Sequence, residues 1–132
     1  MKSPSLKTLR NKTDAILTPL IKALFPKCLL CGNPTQVAHH HIHKSKSNRV
    51  RYELTNLINL CNGCHFKLHQ NESYWAGKII EIKGMKWFKA LDRLQREYVK
   101  VDRFFYEKNY DRLAFELQDL SPSQARQSPY HR

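Results

Sequence analysis

Apolar positions recur at helical spacing over three stretches of this chain. From about Ser5 to Phe25, Leu6, Leu9, Ile16, Leu17, Leu20, Ile21 and Leu24 fall on one helical stripe. Pro19 cannot sit inside a straight helix, but Thr18-Pro19 makes an N-cap and first-turn pair. Two short helices, or one broken helix, are therefore expected to end near Pro26. Gln36–Ile42 has the length of a strand, and Lys44–Arg51 reads as a polar, basic loop. Leu54–Leu60 leads into Cys61, and a helix is expected from Cys64 to His69. Beyond Asn71 the pattern turns helical again. Ser73 predicts the N-cap of a helix that runs toward Glu81 and is broken by Gly84. Trp87, Phe88, Leu91, Leu94, Tyr98 and Val101 trace the next helical face. Leu113, Phe115, Leu117 and Leu120 mark a last helix. Core packing is the expected role of these aromatic rings. Ser121–Arg132 is rich in Ser, Pro, Gln and Arg and reads as disordered. No internal repeat is visible.

Charge adds a partner to this picture. The 132 residues carry a formal net charge of +12, spread along the chain. A polyanion is the expected partner, because each neutralised phosphate releases counterions. Charge alone does not choose between DNA, RNA and an anionic membrane surface. Met1–Arg10 lacks the apolar core of a signal peptide, and no stretch reaches the roughly 20 apolar residues of a membrane span. An intracellular, cytoplasmic protein with no membrane partner is expected. In such a reducing setting four cysteines point to a metal rather than to disulfides.

The cysteines form two CxxC pairs, Cys28-Leu29-Leu30-Cys31 and Cys61-Asn62-Gly63-Cys64. Each pair fits a tight knuckle that aims both sulfurs at one point, and two knuckles complete a tetrahedral thiolate shell suited to structural Zn²⁺. The stretch between them must be a folded insert. Cys61-Asn62-Gly63-Cys64-His65 also matches a haem-attachment pattern, but that chemistry needs export, so no haem is expected. Two pairs without a thioredoxin-like βαβ pattern argue against a redox role.

Six of the seven histidines lie between and just after the knuckles: His39, His40, His41, His43, His65 and His69. The i, i+4 spacing of His65 and His69 puts both on one helix face, as a clamp on one metal requires. A third ligand is needed, and the His39–His43 run is the obvious donor. Adjacent residues on a strand point apart, so one histidine can bind a metal while its neighbour faces a water. A second structural zinc site is the competing reading of the same residues.

The segments Val37-Ala38-His39-His40-His41-Ile42 and Leu54-Thr55-Asn56-Leu57-Ile58-Asn59-Leu60-Cys61-Asn62-Gly63-Cys64-His65-Phe66-Lys67-Leu68-His69 resemble an HNH endonuclease of the zinc-knuckle type. The shared elements are a His-His-Ile start, a central Asn-Leu and an ending of the form Leu-Cys-x-x-Cys-His-x-x-x-His. The resemblance spans Cys28–His69, roughly a third of the chain. More loosely, the rest is similar to small phage-type HNH proteins, including NinG-like recombination proteins. The family implies an α+β fold with a ββα-metal core, here with an inserted four-cysteine zinc site and flanking helices. It implies a metal-dependent DNA endonuclease, possible in recombination or DNA processing, that leaves 5′-phosphate and 3′-hydroxyl ends.

Carried over position by position, the family implies that His41 is the general base and that His40, His65 and His69 hold the catalytic ion. Asn56 would brace the loop behind the base. The order before Ile42 favours a His40–His41 doublet over His39–His40. Many relatives have Asp at the position of His40. Three imidazoles favour Zn²⁺, Ni²⁺, Co²⁺ or Mn²⁺ over Mg²⁺. Lys44, Lys46, Arg49 and Arg51, in the insert, are the expected phosphate contacts. Arg93, Arg96, Lys100 and Arg103 read as a solvated helix face. The expected organisation is one compact domain: an N-terminal helical segment at 1–26, a zinc-bound nuclease core at 27–72, a C-terminal helical extension at 73–120 and a tail at 121–132. The alternative function is a non-catalytic, zinc-dependent nucleic-acid-binding module.

Overall fold

Ser5 opens the first helix in the way its residue type favours, its Oγ accepting from the Thr8 N–H at 3.1 Å. The structure, a computed structural model, describes residues 4–120, so the tail expected to be disordered lies outside the described residues. The fold is α+β. Helices α1 (Leu6–Ala15) and α2 (Leu17–Leu24) are followed by strand β1 (Val37–His40), a loop with short 3-10 turns at Asn48–Val50 and Leu54–Asn56, and strand β2 (Leu57–Leu60). Then come α3 (Asn62–Gln70), α4 (Glu72–Lys83), α5 (Met85–Leu94) and α6 (Arg103–Asp119). None of these helices is long and apolar enough to cross a membrane.

The break between α1 and α2 falls at Ile16, two residues before the expected Thr18 cap. Pro19 is thereby the third residue of α2, where a missing N–H forfeits no helical bond. Helix α4 starts at Glu72 rather than after Ser73, and Gly84, at φ +100°, separates it from α5. Helix α5 ends at Leu94, so Tyr98 leaves the expected helical face and is 88% exposed. Helix α6 starts as early as Arg103, where the Asp102 carboxylate caps the Phe105 N–H at 2.9 Å, and its Phe115 is 70% exposed rather than packed.

The two strands pair antiparallel, with Val37 opposite Leu60, Ala38 opposite Asn59, His39 opposite Ile58 and His40 opposite Leu57. This small sheet divides two apolar clusters. One face carries Ala38 and Leu57 and packs on Leu9, Leu17, Leu20 and Ile21 of the first helices and on Tyr106 and Leu113 of α6. The other carries Ile58 and Leu60 and packs on the cysteines, Leu68 of α3 and Ile79 of α4. Strand β2 is buried on both faces, which explains its nearly continuous apolar sequence Leu-Ile-Asn-Leu. Alternation along β1 sends His40 to the α1/α2/α6 side and His39 to the α3 side.

Candidate metal centre

The first cysteine pair sits on a turn closed by the Gly32 N–H donating to Cys28 O at 3.0 Å, with Gly32 at φ +83°. Only a residue without Cβ takes that left-handed conformation readily. Strand β2 holds the turn from behind. The Leu29 N–H donates to Asn59 O at 2.8 Å, and the Asn59 side-chain amide donates to Lys27 O. The second pair starts α3, whose N-cap is Cys61: its sulfur accepts from the Cys64 N–H at 3.4 Å.

The four sulfurs, all unbridged, lie within 4.8 Å of one another, with Cys31 Sγ and Cys61 Sγ 3.5 Å apart. A tetrahedral zinc with bonds of about 2.3 Å would separate its thiolates by about 3.8 Å, so the set fits that ion. Cys28, Cys61 and Cys64 are buried and Cys31 is exposed. Burial pushes the Cys28 thiol up, but backbone N–H donors outweigh it and bring the group down to about 7. Burial and the three other sulfurs push Cys64 up. Four sulfurs so close cannot all ionise without a cation among them. Four cysteines that can hold a structural zinc are thus in place.

A second donor set joins β1 to α3. Ring nitrogens of His39, His65 and His69 lie within 4.8 Å of one another, and the Nε2 atoms of His65 and His69 are 3.0 Å apart. Metal–nitrogen bonds of about 2.0–2.1 Å would set such nitrogens about 3.3 Å apart in a tetrahedral shell. Burial, then the charges of His65 and His69, pull the His39 imidazole down to about 4. Burial also lowers His65. Neutral rings are the form that binds a metal. His69 is exposed, so an ion in this shell would meet solvent.

This arrangement corrects one assignment: His39, not His40, stands with His65 and His69, which is the ligand position of the His39–His40 register rather than of the favoured His40–His41 one. The phase of the strand is the reason, since α3 packs on the face that His39 shares with Ile58. His40 lies on the opposite face, its Nε2 3.0 Å from Arg51 O. His41 lies just beyond the end of β1, its ring 4.8 Å from that of Trp87 and 6.1 Å from that of Phe88. Burial lowers its pKa. Trp87 is itself fixed by its indole N–H donating to Thr55 O at 2.7 Å.

Asn56 is fully buried, at 0% exposure. Its Oδ1 accepts from the Ile42 N–H at 2.8 Å, its amide donates to Ile42 O and Val50 O at 3.1 Å each, and its own carbonyl accepts from the His41 N–H at 2.9 Å. One side chain thus ties both ends of the loop that follows His41. Asn56→Ala would strand three backbone groups. A loss of about 2–4 kcal/mol in urea unfolding of the zinc-loaded protein is expected, the sum of partial desolvation penalties.

The four basic insert residues divide. Lys44 and Lys46 are exposed, and Lys46 lines a cavity of about 400 Å³ together with His39, His40, His41 and His43. Glu72, which the sequence did not single out, lines the same cavity from the start of α4. Arg49 and Arg51 are committed elsewhere. Arg49 pairs with Glu53 at 3.2 Å and Glu97 at 3.0 Å. Arg51 makes a forked, mostly buried pair with Asp14 of α1, at 2.5 and 3.0 Å, and Tyr52 OH donates to the same carboxylate at 2.7 Å. Burial pushes the Asp14 carboxyl up, but these bonds outweigh it and hold the group below its ordinary range. Arg51 therefore anchors the loop to α1 and is withdrawn from any phosphate. Arg96, Lys100 and Arg103 likewise face Asp92, Asp102 and Glu107.

No family model matches the chain and no solved structure matches it. A stretch of 49 residues is 35% identical to a protein described as a mitochondrial DNA mismatch repair protein mutS homolog from Sarcophyton glaucum. The match spans 34% of this chain and only 5% of that protein.

Proposed function

We propose that this protein is a metal-dependent DNA endonuclease of the HNH class, with a ββα-metal core formed by β1, β2 and α3. The observation that carries this reading is the His39, His65 and His69 donor set, one residue from a strand and two from the adjoining helix, open to solvent at His69. A purely structural site would gain nothing from that opening. The net charge of +12 supports a nucleic-acid substrate. The partial similarity to a protein named for DNA mismatch repair supports DNA.

His39, His65 and His69 would hold a divalent ion, which when bound supplies Lewis-acid neutralisation of charge on phosphate oxygens. His41 is the general base. It lines the same cavity of about 400 Å³ as His39, which leaves room for a phosphate group between them. Its ring makes no side-chain hydrogen bond among the described residues, so a nitrogen is free to take a proton from an attacking water. Trp87 and Phe88 keep the ring from turning away. Asn56 keeps the following loop in place, and Lys44 and Lys46 are the cations available to flanking phosphates. The proton leaves the water for His41 as the new P–O bond forms; the bond from phosphorus to the 3′ oxygen breaks, and that oxygen takes a proton from solvent to give a 3′-hydroxyl and a 5′-phosphate.

The test is nicking of supercoiled plasmid. Protein stripped of weakly held metal is supplied in turn with Mg²⁺, Mn²⁺, Ni²⁺, Co²⁺ or Zn²⁺. Ion-dependent nicking is expected, reduced about 10²–10⁴-fold in His41→Ala, the span removed with a general base. Folded, zinc-loaded protein that cuts no duplex, single-stranded or branched DNA with any ion would instead make the chain a binding module.

A further inference from the structure

A second cavity, of about 580 Å³, opens between the Asn48–Glu53 loop and α6, and it shares no lining residue with the histidine cavity. Its α6 wall carries Lys108 and Arg112, one helical turn apart and so on one face. Neither is ion-paired with a carboxylate among the described residues. The acidic residue on the wall, Glu53, is already held by Arg49 at 3.2 Å. The uncompensated charge of the pocket is positive.

The guanidinium is also oriented. Arg112 Nη2 donates to Tyr52 O at 2.8 Å and to Asn109 Oδ1 at 2.9 Å. Asn109 is only 8% exposed, and its amide donates to Phe105 O at 2.8 Å. A buried amide is unfavourable in a helix unless its polar atoms are used, and here the oxygen is used on Arg112. A guanidinium has five N–H donors, and Nε and Nη1 of Arg112 find no partner among the described residues. An oriented fork beside a lysine, in a pocket that Asn48 also lines, suits a phosphate group.

We propose that this pocket binds a backbone phosphate of a nucleic-acid strand, as an anchoring point separate from the histidine centre. It rests on the reading of DNA as the polymer. The full-length, zinc-loaded protein, without any other divalent ion, is to be titrated with a short DNA duplex and separately with inorganic phosphate, followed by amide NMR shifts. Lys108→Gln and Arg112→Lys are run beside it, with thermal melts to check folding; the Lys108 side chain is exposed and lies only over the exposed Phe104 ring, so its replacement disturbs no buried contact. Duplex-induced shifts are expected at Asn48, Lys108, Asn109 and Arg112. Lys108→Gln should weaken duplex binding about tenfold and lower the salt slope by about 1, as the loss of one phosphate contact does. Duplex binding with shifts confined to His39–Lys46 and an unchanged Lys108→Gln affinity overturns the pocket and leaves the nuclease reading intact. Shifts at the pocket without cleavage by any ion sustain the pocket and sink the nuclease. Shifts with inorganic phosphate and none with duplex make it a small-anion site and overturn the proposal, as does no shift with either.

Discussion

Exchange of Cys61 for serine is expected to abolish cooperative folding. Cys61 belongs to the four-sulfur set, caps α3 through its sulfur, and is buried in the cluster that contains Ile58, Leu60 and Leu68. Structural zinc in small domains is worth about 10–16 kcal/mol of apparent binding free energy, which is also folding free energy. The total stability of a domain is about 5–15 kcal/mol. Loss of a ligand therefore removes an amount comparable to everything that holds the chain folded. Cys31→Ser, at the exposed position, should be the mildest of the four serine variants. Thermal melts by circular dichroism with metal analysis, before and after a strong chelator, are the measurement. Wild-type protein that keeps its cooperative melt within a few degrees after chelation would show that the four sulfurs serve no metal.

The second large effect separates two neighbours in the histidine run. His39→Ala should lose the exchangeable metal and at least about 100-fold in nicking, since even an outer-shell partner of a metal site is worth 10–100-fold. His40→Ala should keep that metal, because its ring lies on the other face of the sheet, against Arg51 O. Its expected effect is on stability, through loss of that bond and of packing beside the Arg51–Asp14 pair. Isothermal titration with Mn²⁺ or Ni²⁺, beside the nicking assay, reads both. If His40→Ala loses the metal and His39→Ala keeps it, the strand has the opposite phase and the donor set is wrong.

The cysteine set was legible because a CxxC spacing already encodes its own turn; nothing distant has to be known to bring two sulfurs together. The α3 clamp of His65 and His69 was legible for the same local reason. The third ligand was not. Every phase of a three-histidine strand presents a histidine to either face, and a shift of one residue exchanges the faces. The partner that decides the phase, α3, packs on the sheet from beyond β2. Arg49 and Arg51 misled for a related reason. Asp14, which holds Arg51, and Glu97, which shares Arg49 with the nearby Glu53, are far away in sequence, and charge counting along a loop does not find them. The helical face continued through Tyr98 failed at Gln95, where the chain leaves α5 although neither Gly nor Pro interrupts the sequence there.

The two clusters on either side of the sheet differ in how far apart their members lie along the chain. The one around the cysteines draws on residues from Cys28 to Ile79, whereas the other joins Leu9 to Leu113. Closing a long loop must precede the contacts that reward it. During synthesis, then, the metal-binding half has all its buried core residues once Ile79 has emerged, and Trp87, which packs against them, follows shortly after. Leu9, Leu17, Leu20 and Ile21 can meet Tyr52 and, in the sheet, Leu57 earlier, but the part of their apolar surface that Phe105, Tyr106 and Leu113 cover must wait until α6 leaves the ribosome. This interval is when the nascent chain is most open to capture by a chaperone or by another copy of itself.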